Sequence, residues 1–131
     1  MKVFEPLPAE IERLGKQTVD ASIKVHRALG PGLLESVYET CLAHELRQRG
    51  LKVETQVVLP VVYDGVYLEA GLRMDLLINK QLVVEVKAVE QMNRVFKAQV
   101  LTYLKLAHLR LALLINFNVP LLRDGIERVI L

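Results

Sequence analysis

The stretch Leu111-Ala112-Leu113-Leu114-Ile115-Asn116-Phe117 is apolar at almost every position. A half-buried strand alternates and a surface helix keeps a polar face, so this run reads as a strand covered on both sides. Before it, residues 91–108 carry Met92, Phe96, Val100, Tyr103 and Ala107 at helical spacing, and Leu82 to Ala88 has the texture of another strand. A strand, a helix and a strand in that order imply a right-handed crossover. The expected fold class is therefore α/β, with helices covering the faces of a mixed sheet.

The remaining elements fit around that unit. Residues 8–29 place Ile11, Leu14, Thr18, Ala21, Val25 and Ala28 on one helix face, and Gly30-Pro31-Gly32 stops the helix. A second helix is expected from Leu33 to Arg49, through Leu34, Val37, Tyr38, Cys41, Leu42 and Leu46, with Gly50 at its end. Leu51 to Tyr63 reads as a strand leading into the hairpin turn Asp64-Gly65. Tyr67 to Ile78 and Leu82 to Ala88 follow, separated by Asn79-Lys80-Gln81, so that three strands form a meander. The turn Asp124-Gly125 introduces an edge strand from Ile126 to Leu131, completing the order ααβββαββ. With 131 residues and no repeat or linker-like segment, residues 1–131 are expected to form one domain, an N-terminal helix in 1–30 and a core in 31–131.

Composition removes several classes of function. Hydrophobic residues make up 52% and charged residues 24%, which excludes a disordered chain. The longest apolar runs fall far short of the roughly 18 residues a membrane-spanning helix needs, so no membrane partner is expected. Seventeen Lys and Arg against fifteen Asp and Glu leave a formal charge of +2, too small to attract nucleic acid through an overall field. The single Cys41 excludes an internal disulfide, and Glu5, Glu10 and Glu12 leave no apolar stretch for a signal peptide; a cytoplasmic location is expected.

The informative residues are charges that interrupt strands. Glu85 and Lys87 lie two apart in Leu82-Val83-Val84-Glu85-Val86-Lys87-Ala88 and so share a face. A hairpin symmetric about Lys80 would set Asp75 opposite Glu85 and Arg73 opposite Lys87, which requires an odd loop or a bulge. Opposed side chains have Cβ atoms about 5 Å apart, near enough for two carboxylates to hold one hard cation such as Mg²⁺. Such an ion polarises a phosphoryl oxygen and acidifies water, with Lys87 placed to orient the nucleophile or to neutralise charge on the phosphate. The competing reading is a structural salt bridge between Lys87 and either acid.

Other polar positions carry two readings each. Glu35 lies on the flank of the second helix's apolar stripe, either as a further ligand or as an N-terminal acid favoured by the helix dipole. Glu45 falls within that stripe, as a structural pair needing a partner such as Arg73 or Arg49, or as a site residue. Gln99 and Tyr103 share a face of the last helix, as core-edge residues or as contacts to a substrate backbone, base or phosphate. Lys87, Arg94, Lys97, Lys105 and Arg110 make this region locally basic.

With these residues placed, the chain resembles the GxxExxY protein family, a branch of the PD-(D/E)XK nuclease superfamily. The naming motif stands as Gly32-Leu33-Leu34-Glu35-Ser36-Val37-Tyr38. The similarity runs over roughly residues 20–131 and includes Tyr63-Asp64-Gly65, Arg73-Met74-Asp75-Leu76-Leu77, Glu85-Val86-Lys87-Ala88-Val89, Gln99 to Leu104, and Ile115-Asn116-Phe117-Asn118. Met74 stands where the superfamily's name has proline.

The resemblance implies a restriction-endonuclease-like αβββαβ core with an extra N-terminal helix, and a Mg²⁺- or Mn²⁺-dependent nuclease acting on nucleic acid, DNA ahead of RNA. It implies Asp75, Glu85 and the Val86 carbonyl as metal ligands, Lys87 as the catalytic lysine, and Glu35 as an acid assisting metal or water. Gln99 and Tyr103 would contact substrate, with Tyr38, Arg94 and Lys97 as further candidates. The alternative is a non-catalytic nucleic-acid-binding or oligomeric assembly module, and the apolar composition makes a homodimer an expectation.

Overall fold

The computed structural model describes residues 5–69 and 71–131. Residues 1–4, in the expected N-terminal segment 1–30, and Ala70, inside the second expected strand, lie outside them.

The elements run α1 (Ala9–Leu29), α2 (Glu35–Gln48), β1 (Val53–Val58), β2 (Val61–Tyr63), β3 (Val66–Leu68), β4 (Arg73–Ile78), β5 (Leu82–Lys87), α3 (Arg94–Ala107), β6 (Leu111–Asn116), a short 3₁₀ turn (Leu122–Gly125) and β7 (Ile126–Ile130). One five-stranded sheet has the order β1-β4-β5-β6-β7. Among the described residues its only parallel pair is β5 with β6, the two strands joined through α3. This is the mixed α/β sheet flanked by helices expected of a restriction-endonuclease-like fold.

Alternation along β5 and β6 divides the core into two layers. Leu82, Val84 and Val86 pack with Leu111, Leu113 and Ile115 under Leu14, Ala21 and Val25 of α1 and Tyr38, Leu42 and Leu46 of α2. Val83, Ala112 and Leu114 pack on the other face under Val100, Tyr103 and Leu104 of α3. Every residue of β6 is buried, which explains its lack of alternation.

Two expected strands are broken. Leu51–Tyr63 divides into β1 and β2 at Leu59-Pro60, where proline has no N–H for a ladder. Tyr67–Ile78 divides into β3 and β4 around Gly71, whose φ is +106°. Consequently β2 and β3 form their own two-stranded sheet, closed at its base by Leu59 N–H donating to the Leu72 carbonyl at 2.9 Å. The Asp64-Gly65 hairpin turn lies at its tip, and β1 pairs directly with β4. The second helix begins at Glu35 rather than Leu33.

Asn116 and Tyr38 secure the connections. The buried Asn116 side chain donates to the Val89 carbonyl at 3.0 Å and accepts from Val89 N–H at 3.1 Å, fixing the chain as it leaves β5. The Tyr38 hydroxyl donates to the Gly30 carbonyl at 2.6 Å and accepts from Leu33 N–H at 3.1 Å, while its ring stacks on Phe117 at 4.6 Å. The α1–α2 turn is thereby fixed relative to the sheet. Glu45 is paired, but with Lys24 of α1 at 2.8 Å rather than with Arg73 or Arg49.

Candidate active site

Strands β4 and β5 pair as Leu76 with Val84, Leu77 with Val83 and Ile78 with Leu82, a register symmetric about Lys80 with the odd loop Asn79-Lys80-Gln81. Asn79 and Lys80 turn the chain with φ of +48° and +55°. The register would next oppose Asp75 to Glu85, and here the ladder stops. Asp75 N–H instead donates to Glu85 Oε1 at 3.4 Å, and Val86 N–H donates to Asp75 Oδ2 at 2.8 Å. Because the β4–β5 ladder stops at Leu76 and Val84, the expected Arg73–Lys87 pair is not part of it, and Arg73 pairs with Val58 of β1 on the other side.

Within a strand, a residue's N–H and C=O point to the same side. Because Val86 N–H meets Asp75, the Val86 carbonyl also faces the β4 side, where no ladder partner of β4 opposes it. Two carboxyl groups thus meet at the parting of the strands, beside the Val86 main chain.

Glu85 is buried, at 4% exposure. Burial, followed by the charge of Asp75, pushes its carboxyl up to about 8, against the opposing pull of Lys87. Lys87 Nζ lies 3.9 Å from Glu85 Oε2 and 4.4 Å from the centre of the Phe96 ring on α3. That separation exceeds hydrogen-bond length, so Lys87 and Glu85 form an ion pair without a hydrogen bond between them. Tyr103, also on α3, is pushed up to about 12 by burial and then by the charges of Glu85 and Asp75, while its contact with Gln99 works the other way. Its phenol therefore stays a neutral hydrogen-bond donor beside the acids.

Toward α2 the site opens into a groove of about 660 Å³ lined by Leu34, Glu35, Glu39, Gln56, Asp75 and Ala88. Glu35 Oε1 accepts from Ala88 N–H at 3.3 Å, tying the start of α2 to the end of β5. Gln56 donates from Nε2 to Glu39 Oε1 and Oε2 at 2.9 and 3.0 Å and to Asp75 Oδ1 at 3.2 Å. Burial raises the Glu39 carboxyl above the usual range; Gln56 lowers it, and Asp75 and Glu35 raise it further.

The fold therefore brings Asp75, Glu85, Val86, Lys87 and Tyr103 together, with Gln99 beside Tyr103 and Glu35 along the groove. Tyr38 is not available to a substrate, because it is fully buried with its hydroxyl committed to the α1–α2 turn. Lys97 turns to β7, 3.2 Å from Glu127, and with Arg94 lines a different groove. Glu39 and Gln56 escaped the sequence reading. Glu39 lies four residues after Glu35 on one helix face, a usable signal; nothing marks Gln56 apart from its polar neighbours Glu54 and Thr55 in β1.

Among the described residues, no three Asp, Glu, His or Cys side chains group closely enough to hold one ion. The donor set is instead two carboxyl groups and a carbonyl, all hard oxygens, and burial beside Asp75 keeps Glu85 from ionising readily without a cation. That set fits Mg²⁺ or Mn²⁺, which are held by few protein oxygens and retain several waters.

A family model described as the PD-(D/E)XK nuclease superfamily matches residues 12–129. The chain belongs to the PD-(D/E)XK nuclease superfamily. Searches of curated proteins and of solved structures found no match. Members of this superfamily generally use divalent metals, and membership points to nuclease activity on nucleic acid. Met74, at the position of the motif's proline, is buried under α3. Among the described residues no helix is long and apolar enough to cross a membrane.

Proposed function

We propose that this protein is a Mg²⁺- or Mn²⁺-dependent nuclease of the GxxExxY branch, hydrolysing phosphodiester bonds of nucleic acid, DNA ahead of RNA. The observation that carries the reading is the pairing of Asp75 with the buried Glu85 at the end of the β4–β5 ladder, with Lys87 on the same face. Asp75, Glu85 and the Val86 carbonyl would hold the cation. Bound there, a divalent ion supplies the positive charge that polarises the scissile phosphate and acidifies water.

The chain's own groups do the rest. Lys87 directs its ammonium toward the acids and neutralises charge that develops on the phosphate. The neutral Tyr103 phenol, with Gln99 beside it, donates to a phosphate oxygen. Glu35 accepts from water at the open side of the groove. The test is cleavage of labelled single-stranded and duplex DNA and RNA with Mg²⁺, Mn²⁺ or chelator. Metal-dependent cutting of one class identifies the substrate, whereas no cutting and no ion binding would favour a binding or assembly module.

A second reading, self-assembly, has its own support. On the β2–β3 hairpin Val62, Tyr63, Val66, Tyr67 and Leu68 are all exposed, between 46% and 75%. An isolated two-stranded hairpin is marginal in water, so covering it in a homodimer would be favourable. Sedimentation of the parent and of Tyr63→Ser tests this independently of catalysis.

A further inference from the structure

We infer that Gln56 is a positioning residue for Asp75, fixing the carboxylate so that its free lone pairs face the cation. The inference rests on the metal-binding reading of the Asp75–Glu85 pair. Gln56 has a φ of +51° inside β1, a left-handed conformation that strains any residue other than glycine. The strain falls at one specific place. Thr55 pairs with Leu76 and Val57 with Met74, so the same register puts Gln56 opposite Asp75, and there the ladder is interrupted.

The side chain gives glutamine a role at a position where glycine would be unstrained. Its three acceptors are all carboxylate oxygens, two of Glu39 and one of Asp75, so the amide must present its NH₂ group to them. One N–H serves each residue. Asp75 then has Gln56 on Oδ1 and Val86 N–H on Oδ2, which fixes its rotamer and leaves a second lone pair on each oxygen. Glu39 grips the amide nitrogen from the other side, so α2 helps to determine where Asp75 points. Groups that hold a metal ligand in this way affect affinity without touching the ion.

The test titrates Mn²⁺ into the purified full chain by calorimetry, comparing the parent with Gln56→Gly and Gln56→Ala. Glycine relieves the backbone strain and removes only the amide, so Gln56→Gly should melt close to the parent temperature. Both variants should bind Mn²⁺ about 10- to 100-fold more weakly. Parental affinity in both variants would overturn the inference while leaving the nuclease reading intact. An unfolded Gln56→Gly would also overturn it, by making the side chain structural. A parent that binds no Mn²⁺ would overturn the metal reading, and the role of Gln56 with it.

Discussion

Asp75 N–H reaches Glu85 Oε1 at 3.4 Å one step beyond the last β4–β5 ladder pair, Leu76 with Val84. The strands separate where both facing residues are acids, and side-chain to main-chain hydrogen bonds replace the ladder. The sheet thus keeps two carboxylates close together at a cost that one cation would offset.

That cost gives a pH dependence. The folded-state Glu85 carboxyl titrates near 8, above its ordinary 4.5. The native state therefore binds this proton more tightly than the unfolded chain does. The contribution is fully present below about 4.5 and is lost as pH rises through about 8. Metal-free protein should lose on the order of 3–4 kcal/mol of stability across that window. Glu85→Gln, which cannot ionise, should flatten the dependence in denaturant melts at pH 5 and pH 9; an equal loss in both proteins would exclude Glu85 as its source.

Lys87 supplies charge at the site without closing a hydrogen bond to Glu85. Lys87→Ala should retain Mg²⁺ binding in calorimetry but lower the cleavage rate by about 10²–10³-fold. Unchanged turnover would reduce Lys87 to a packing partner of Phe96.

Tyr38 is the lock of the α1–α2 turn. Tyr38→Phe keeps the stacking on Phe117 but removes the donor to Gly30 and the acceptor for Leu33. The expected loss is about 1–3 kcal/mol in chemical denaturation. A variant as stable as the parent would show that the hydroxyl's bonds are replaced by water.

Gly125 packs against main chain. A Cβ there would collide with the Asn116 carbonyl oxygen and stand 3.0 Å from Val119. Since the obstacle is backbone of the buried β6, Gly125→Ala should destabilise by about 1–3 kcal/mol. Thermal melting checks it, and an unshifted transition would mean that the 3₁₀ turn moves freely.

The residues that long-range packing did not decide were legible in the sequence. The parity of Asp75, Glu85 and Lys87 about Lys80 follows from strand period alone, and β6 was identified by its lack of alternation. The hairpin β2–β3 was hidden because Pro60 and Gly71 interrupt runs whose β-branched texture continues across them. The placement of Tyr38 and Lys97 away from the groove is hidden for another reason. Their types suit a substrate contact, but only the tertiary arrangement reveals that Tyr38 faces Gly30 and Lys97 faces Glu127. Gln56 became visible only through its φ and its two carboxylate partners.

The central claim is that Asp75 and Glu85 hold the cation for phosphodiester hydrolysis. Its most direct test is cleavage of labelled nucleic acid by the parent and by Glu85→Ala, purified in parallel, with Mg²⁺ and with chelator. The account predicts cutting by the parent with Mg²⁺, none with chelator, and none by a folded Glu85→Ala. Equal cutting by parent and variant would contradict it.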